Sequence, residues 1–148
     1  MPSCCGGGSD PVAKLFEVIR ALTLINCHHR LNALAGNKEY RGLEEPYLSE
    51  ILKGRRRLRG NIERALQAGT DAGLFVLPEI AGKPSVRIAG IAIGDMCIRA
   101  AEWYRPDGSA TAEQLATEYA KMALRCVGVG EFTPANENVG TFASDPPG

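Results

Sequence analysis

The sequence has few aromatic residues (6%), a single tryptophan and no excess of charge, with 17 Lys and Arg against 17 Asp and Glu in 148 residues. This balance gives no general attraction to nucleic acid or to an anionic membrane. No uncharged apolar run is long enough to span a bilayer, and residues 1–8 lack the charged start and apolar stretch of a signal peptide. We therefore expect a cytoplasmic protein with one core and no membrane contact.

Motifs of catalysis and metal binding are also missing. The sequence contains no GxSxG, HExxH or Walker loop, and its five cysteines include no CxxC pair. Three of the cysteines lie within helical patterns, and we interpret them as small buried residues. His28 and His29 would point about 100° apart on a helix, which does not favour a shared metal. We predict no enzyme activity, no cofactor and no metal; a small helical enzyme is the least favoured alternative.

Hydrophobic spacing predicts four helices and no strand, and therefore an all-α domain. The first helix begins at a cap on Ser9 or Asp10 and extends to residues 36–37, and the second covers residues 45–72. The third begins at Ser85 and ends at residue 104, and the fourth begins at a capping box of Thr111 and Gln114. Residues 1–8 and 130–148 are expected to be a disordered leader and tail, which leaves a domain at 9–129.

The third helix is apolar almost all round, which indicates burial on more than one side. One of its sides carries only small residues, and the fourth helix has an apolar face. Four helices cannot easily bury all of this surface, so we predict a two-fold homodimer through both helices. Its interface would contain Gly90, Gly94, Cys97, Ala101, Leu115, Tyr119 and Met122. The alternative is that these residues form the internal core of a monomer. We also expect Trp103 to be buried beside the fourth helix.

Asn26, His29 and Arg55 are polar residues on otherwise apolar helix faces. In one interpretation Arg55 pairs with a core acid such as Asp95 or Glu102, because a buried charge needs a partner. In the other, the three polar residues mark the polar end of a ligand cavity with apolar walls. Arg55 would then suit a carboxylate or a phosphate, which its planar fork binds bidentately. The apolar walls would be formed by Leu22, Ile51, Leu58 and Ile62.

The basic run of Lys53, Arg55, Arg56, Arg57 and Arg59 raises the alternative of a nucleic-acid contact. They scatter around the predicted helix and have no aromatic residues between them, so we interpret them as a solvated face.

Two segments resemble the end of the regulatory domain in TetR-family bacterial transcription regulators. They are the junction W-Y-R-P-D-G at 103–108 and the following helix A-E-Q-L-A-T-E-Y-A at 112–120. The segment L-Q-A-G-T-D-A-G-L-F at 66–75 is also typical of that family. The resemblance implies an antiparallel helical bundle that dimerises through its last two helices. It also implies a small hydrophobic or acyl-CoA-like effector between the first three helices, as in the branch that regulates lipid, steroid or acyl-CoA catabolism.

The helix-turn-helix head of that family has no counterpart in this sequence. We therefore expect DNA contact only through a head that this chain does not contain, so that the chain is a fragment, a truncated gene product or an orphan sensor domain. The predicted function is ligand sensing and dimerisation for a TetR-like repressor. An orphan interaction module that forms mixed dimers with full-length regulators is the alternative with the same fold.

Overall fold

The computed structural model describes residues 10–29 and 45–132, apart from the side chains of residues 47, 48 and 51. Within this part of the chain the structure has four helices and one pair of two-residue strands. In chain order these are α1 (Pro11–His28), α2 (Tyr47–Asp71), β1 (Glu79–Ile80), β2 (Lys83–Pro84), α3 (Val86–Trp103) and α4 (Ala112–Cys126). The predicted all-α class is confirmed.

Local side-chain caps define the start of three helices. The Asp10 carboxylate accepts a hydrogen bond from the Val12 N–H at 3.1 Å, and the Ser85 hydroxyl accepts one from Ile88 at 3.2 Å. At α4 the Thr111 hydroxyl accepts from the Gln114 N–H, while the Gln114 side chain accepts from the Thr111 N–H. Each bond satisfies a backbone donor that has no partner inside the helix. The predicted caps at Asp10 and Thr111 are therefore confirmed, and Ser85, where the third helix was expected to begin, also acts as a cap.

Two boundaries differ from the sequence prediction. Helix α1 ends at His28, because His29 leaves helical geometry at φ −109° and ψ 38°; the predicted end at 36–37 lies outside the described residues. At the other end of the domain, the ring of Phe132 lies 4.9 Å from that of Phe16. Phe132, which the sequence pattern assigned to the tail, therefore packs against the core. The leader and residues 133–148 lie outside the described residues.

The strand pair was not predicted. Ile80 pairs with Lys83, and the two residues between them, Ala81 and Gly82, both have positive φ, at 54° and 77°. Positive φ at both positions is typical of the tightest hairpin turn, whose twist matches that of paired strands. Two residues on each side are too few to produce an alternating hydrophobic pattern, so this hairpin leaves no signal in the sequence.

Helix α1 lies at the centre of the domain, where it packs most extensively on α4 and also contacts α2 and α3. Its residues Leu15, Phe16 and Ile19 are at most 1% exposed. Burial of side chains of this size contributes about 1.5–3 kcal/mol each. The two buried polar residues of α1 are satisfied within the helix, since Thr23 and Asn26 donate to the carbonyls of Ile19 and Leu22, both at 2.9 Å.

The described residues contain no helix that is long and apolar enough to cross a membrane. Nor, within the same residues, do three or more His, Cys, Asp or Glu side chains gather where a metal ion could be held.

Candidate ligand groove and the outward face of α3

A groove of about 350 Å³ lies between α1, α2 and α3. Its volume falls in the range of small-molecule sites, which span about 300–1,000 Å³. Helix α1 contributes one buried residue to it, while α2 and α3 form the two long walls. The described residues that line this groove are Leu22, Leu52, Arg55, Arg56, Leu58, Arg59, Ile62, Gly90, Ile91, Gly94, Asp95 and Ile98.

Two glycines of α3 line the groove where its two walls come close to each other. A Cβ atom at Gly94 would lie 3.7 Å from the Cδ1 of Ile62, and one at Gly90 would lie 3.0 Å from the Cγ of Glu63. These two close approaches place α3 directly against α2. Because neither glycine has a side chain, the backbone of α3 forms this part of the wall.

The floor of the groove is apolar. Leu22 from α1 and Ile62 from α2 are 4% and 1% exposed. Ile91 and Ile98 of α3 are half-buried along the opposite wall, and Leu58 is 37% exposed at its edge. An apolar ligand placed here would therefore cover side chains that the chain alone leaves partly in water, which is a favourable change.

The charged residues of the groove are unequally distributed between its walls. Helix α2 contributes Arg55, Arg56 and Arg59, whereas α3 contributes only Asp95. Arg59 is close to Glu63, with 3.8 Å between its Nε and the nearer carboxylate oxygen, and both side chains remain partly exposed. An exposed pair of this kind contributes little free energy. The groove therefore combines an apolar floor with a predominantly cationic wall.

The structure brings together some of the predicted ligand residues and separates others. Leu22, Arg55, Leu58 and Ile62 all line the groove. Asn26 and His29 are not among the lining residues: the Asn26 amide bonds to its own helix, and His29 is exposed after the end of α1. The side chain of Ile51 lies outside the described part of the structure. The predicted polar end of the cavity is thus formed by Arg55 together with Arg56 and Arg59.

The two acids suggested as partners of Arg55 occupy different places. Asp95 lines the same groove as Arg55. Glu102 instead lies 3.4 Å from the guanidinium of Arg99, one turn earlier on α3. The i, i+3 spacing of Arg99 and Glu102 explains this pair, since such residues are neighbours on a helix surface.

The small-residue side of α3 packs inside the chain. Gly90 and Gly94 face α2, as described above, and Cys97 and Ala101 are both 0% exposed. Small side chains do allow close helix approach, as the sequence analysis reasoned, but here the approaching helices belong to the same chain. In this packing Gly90, Cys97 and Ala101 are buried within the single chain, and Gly94 is half-buried in the groove.

The opposite side of α3 is exposed and partly apolar. Its outward face consists of Ile88, Ala92, Arg99 and Trp103, which lie roughly 180° around the helix from the small residues. Ile88 is 43% exposed and Trp103 is 54% exposed. The prediction that Trp103 is buried is therefore wrong for the single chain. Trp103 does contact α4, since its ring lies 6.1 Å from that of Tyr119.

Helix α4 lies beside one end of the outward face, where Tyr119 contacts Trp103. Leu115 and Tyr119 on α4 are buried, at 8% exposed each, and Met122 is half-buried. Near the other end of α3, a shallow apolar depression of about 480 Å³ lies between the helix, the loop at 76–78 and the end of α4. Val76 at its edge is 74% exposed. Exposed apolar surface is thus present at both ends of the outward face of α3, with the charged Arg99 between them.

Burial raises the pKa of three titratable groups of the domain. The pKa of the Cys97 thiol rises to about 11 because the side chain is buried, an effect only partly offset by its hydrogen bond with Thr23. Burial also raises the pKa of Tyr119 and that of Cys27. All three groups therefore stay protonated at neutral pH. None has the lowered pKa of an activated nucleophile.

The sequence prediction did not include eight of the twelve groove residues that the structure describes. The residues it did not assign to a ligand site are Leu52, Arg56, Arg59, Gly90, Ile91, Gly94, Asp95 and Ile98. A signal for the α2 wall was present, since residues 52, 55, 59 and 62 recur at the 3- and 4-residue spacing of one helix face. The interpretation of the basic residues around Arg55 as a solvated face hid that signal. The α3 wall had no comparable signal, because its glycines permit close packing against any helix and do not indicate a ligand site.

Fold and groove together define a class: an all-α domain built around a ligand-sized cleft. Residues 8–127 match the family described as Tetracyclin repressor-like, C-terminal domain, and the chain belongs to that family. No curated protein sequence matches it significantly.

Two solved structures share the fold. A regulatory protein of the TetR family from Rhodococcus matches with a TM-score of 0.70 and 24% sequence identity, over 83% of this chain and 62% of that one. A TetR-family transcriptional regulator from Bordetella parapertussis matches with a TM-score of 0.63 and 17% identity, over 86% of this chain and 63% of that one. The chain thus spans less than two thirds of either regulator.

Proposed function

We propose that this chain is the ligand-sensing and dimerising domain of a TetR-like transcription regulator, and that the groove between α1, α2 and α3 is its effector site. The observation that carries the proposal is the groove itself: a cleft of about 350 Å³ with an apolar floor, inside a domain of the tetracyclin repressor-like family. The effector is a small hydrophobic or acyl-CoA-like molecule. DNA binding belongs to a helix-turn-helix head, and the domain acts on that head as a repressor's sensor.

The proposed effect of the ligand is a shift between two packings of α2 and α3. The two helices approach closely at Gly90 and Gly94, so that a ligand entering between them must displace one wall or select a wider arrangement. Such a change alters the spacing of the two DNA-reading heads in a dimer, and this spacing must match the operator half-sites.

A groove-narrowing substitution tests the effector site. In Gly94→Ala the new methyl group meets Ile62 at an ordinary contact distance of 3.7 Å, so the fold is retained while the groove becomes narrower. We expect a groove ligand to lose affinity in this variant. Gly54→Ala, on the same groove-forming pair of helices but outside the groove and with nothing within 4 Å, is the matched control. Equal affinity in wild type and Gly94→Ala would contradict the proposed site.

The dimer is proposed to form through α3 and α4, with the outward face of α3 in place of its small-residue side. Ile88 and Trp103 expose apolar surface on this face, beside Tyr119 and Met122 of α4. Large exposed apolar groups aligned on one surface are typical of protein contacts. A two-fold axis between the copies would bury these groups twice over.

Sedimentation velocity at micromolar concentration tests the dimer. A species of about twice the chain mass of 15.8 kDa is expected for the wild type. Ile88→Asp should dissociate it, because a carboxylate would then be buried at the interface without a partner. Ile25→Asp is the control, since Ile25 is also about half exposed, at 51%, but lies on α1. A compact wild-type monomer would refute the proposed interface.

A further inference from the structure

We infer that the ligand of the groove is an amphipathic anion, whose charged group is held by the arginines of α2 and whose compact apolar body lies on the groove floor. This inference rests on the proposed function of the groove and specifies the chemical class of its effector.

The α2 wall of the groove is cationic. Three arginines and one aspartate line the groove, so its lining carries a net positive charge. Arg59 is only weakly compensated by Glu63, at 3.8 Å and partly in solvent. Within the described residues, Arg56 has no carboxylate at ion-pair distance. A neutral ligand would remove water from the guanidinium groups of Arg56 and Arg59 without replacing its hydrogen bonds, whereas an anion would replace them.

The cationic groups of the groove are guanidinium groups. Every basic residue that lines the groove is arginine, although a lysine, Lys53, is present on the same helix. The guanidinium fork matches two oxygen atoms of a carboxylate or a phosphate, whereas an ammonium group acts as a point charge. Asp95 faces the arginines from α3, and a cationic ligand that paired with Asp95 would have to lie beside all three of them. The arrangement therefore selects an anion and disfavours a cation.

The volume of the groove limits the size of the ligand's apolar part. The groove floor is formed by Leu22 and Ile62, with Ile91 and Ile98 on the wall opposite the arginines. A volume of about 350 Å³ lies at the lower end of the range of about 300–1,000 Å³ for small-molecule sites. The part of the ligand inside the groove is therefore a small apolar chain or ring system together with its anionic group. A larger group attached to it, such as a nucleotide, would remain outside.

Isothermal titration calorimetry on the full chain with four probes tests this inference. Decanoate, decanol and decylamine have the same apolar chain and differ in charge, and decanoyl-CoA carries that chain as a thioester of a polyanion. We expect decanoate to bind at least about tenfold more tightly than decanol, since hydrogen bonds to charged groups are worth more than neutral ones. Decylamine should bind most weakly. The ratio of decanoyl-CoA to decanoate affinity identifies whether the anionic group comes from a thioester of CoA or from a free acid.

Charge-removing variants assign the preference to the groove. The double variant Arg56→Gln with Arg59→Gln should lose the preference for decanoate while its affinity for decanol stays the same. Arg57→Gln is the matched control, because Arg57 is an exposed arginine of the same helix that does not line the groove. It should retain the preference. Retained far-ultraviolet circular dichroism establishes that each variant is folded.

Two results would overturn the inference in different ways. Equal binding of decanoate and decanol, or a preference for decanoate that survives the double variant, would refute the anionic ligand and leave the groove as an effector site. Failure of all four probes to bind would refute both this inference and the proposed effector site.

Discussion

Gly69 in the last turns of α2 lies directly against the ring of Phe75. A Cβ atom added at Gly69 would meet three carbons of that ring, the farthest of them at 2.6 Å. Carbon atoms in contact are normally about 3.5–4.0 Å apart, so the ring would have to move by about 1 Å or more. Phe75 is 6% exposed, and its N–H bonds back to the Gly69 carbonyl at 3.3 Å. We predict that Gly69→Ala strongly destabilises the domain.

Two opposing contributions set the size of this effect. Complete removal of a buried phenylalanine side chain costs about 3–5 kcal/mol, which is an upper limit because the displaced ring keeps part of its contacts. Alanine within a helix is more favourable than glycine by up to about 1 kcal/mol. The net decrease in the free energy of unfolding is therefore about 2–3 kcal/mol, which corresponds to a Tm lower by about 5–10 °C in a chain of this size.

Gly54→Ala is the matched control for this substitution. It makes the same chemical change in the interior of the same helix, but a Cβ atom at Gly54 would have nothing within 4 Å. It should therefore show only the helix-propensity gain of up to about 1 kcal/mol. The assay is urea unfolding followed by circular dichroism, with all chains at one concentration. The reasoning would be refuted if Gly69→Ala were as stable as the wild type, or if both variants shifted stability in the same direction.

Three further predictions follow from the backbone, the buried thiol and the exposed indole. Ala81→Asn should stabilise the chain by about 0.5–1 kcal/mol in the same assay, because asparagine tolerates the positive φ of 54° at that position better than alanine does; a loss of stability would contradict it. The free energy of unfolding should fall as pH rises from 9 to 11. The reason is that the pKa of the Cys97 thiol is about 11 in the folded chain and about 9 in the unfolded chain, so that the unfolded chain loses the proton first. The decrease should be at most about 2–3 kcal/mol from this group, and its steepness should lessen in Cys97→Ala. Acrylamide should quench Trp103 readily at low chain concentration and less at high concentration if the outward face dimerises; unchanged quenching across the dimerisation range would count against that interface.

The helix starts could be predicted from sequence because their signals are local. Asp10, Ser85 and the Thr111–Gln114 pair each bond to a backbone group two or three residues away, so both partners are visible in a short stretch of sequence. Four of the predicted ligand residues also reach the groove. These four residues share one property: each lies on a helix whose apolar residues recur on a single face, so the inward side of that helix can be predicted.

Which side of α3 faces α2 and which faces solvent could not be predicted in the same way. Apolar residues surround this helix, so its hydrophobic pattern has no single preferred face. The residues Gly90, Gly94, Cys97 and Ala101 indicate that some helix comes close, but not whether it belongs to the same chain. In the structure the close neighbour of Gly90 and Gly94 is α2, whose Glu63 and Ile62 approach them. These two contacts join residues that are 27 and 32 positions apart in the sequence, and no local signal encodes them.

Helix α3 is the element that connects the two proposed activities of the domain. Its inward side forms one wall of the groove through Gly90, Gly94 and Ile98, while its outward side presents Ile88 and Trp103. A rigid helix cannot move one side without the other, so a ligand that displaces the groove wall also displaces the surface that contacts a second copy. If both proposals hold, ligand affinity and dimer affinity must be linked, and by thermodynamic necessity each must change the other by the same factor. The small residues of α3 then have a role beyond close packing: they leave room for a ligand at the place where a movement of α3 reaches the dimer.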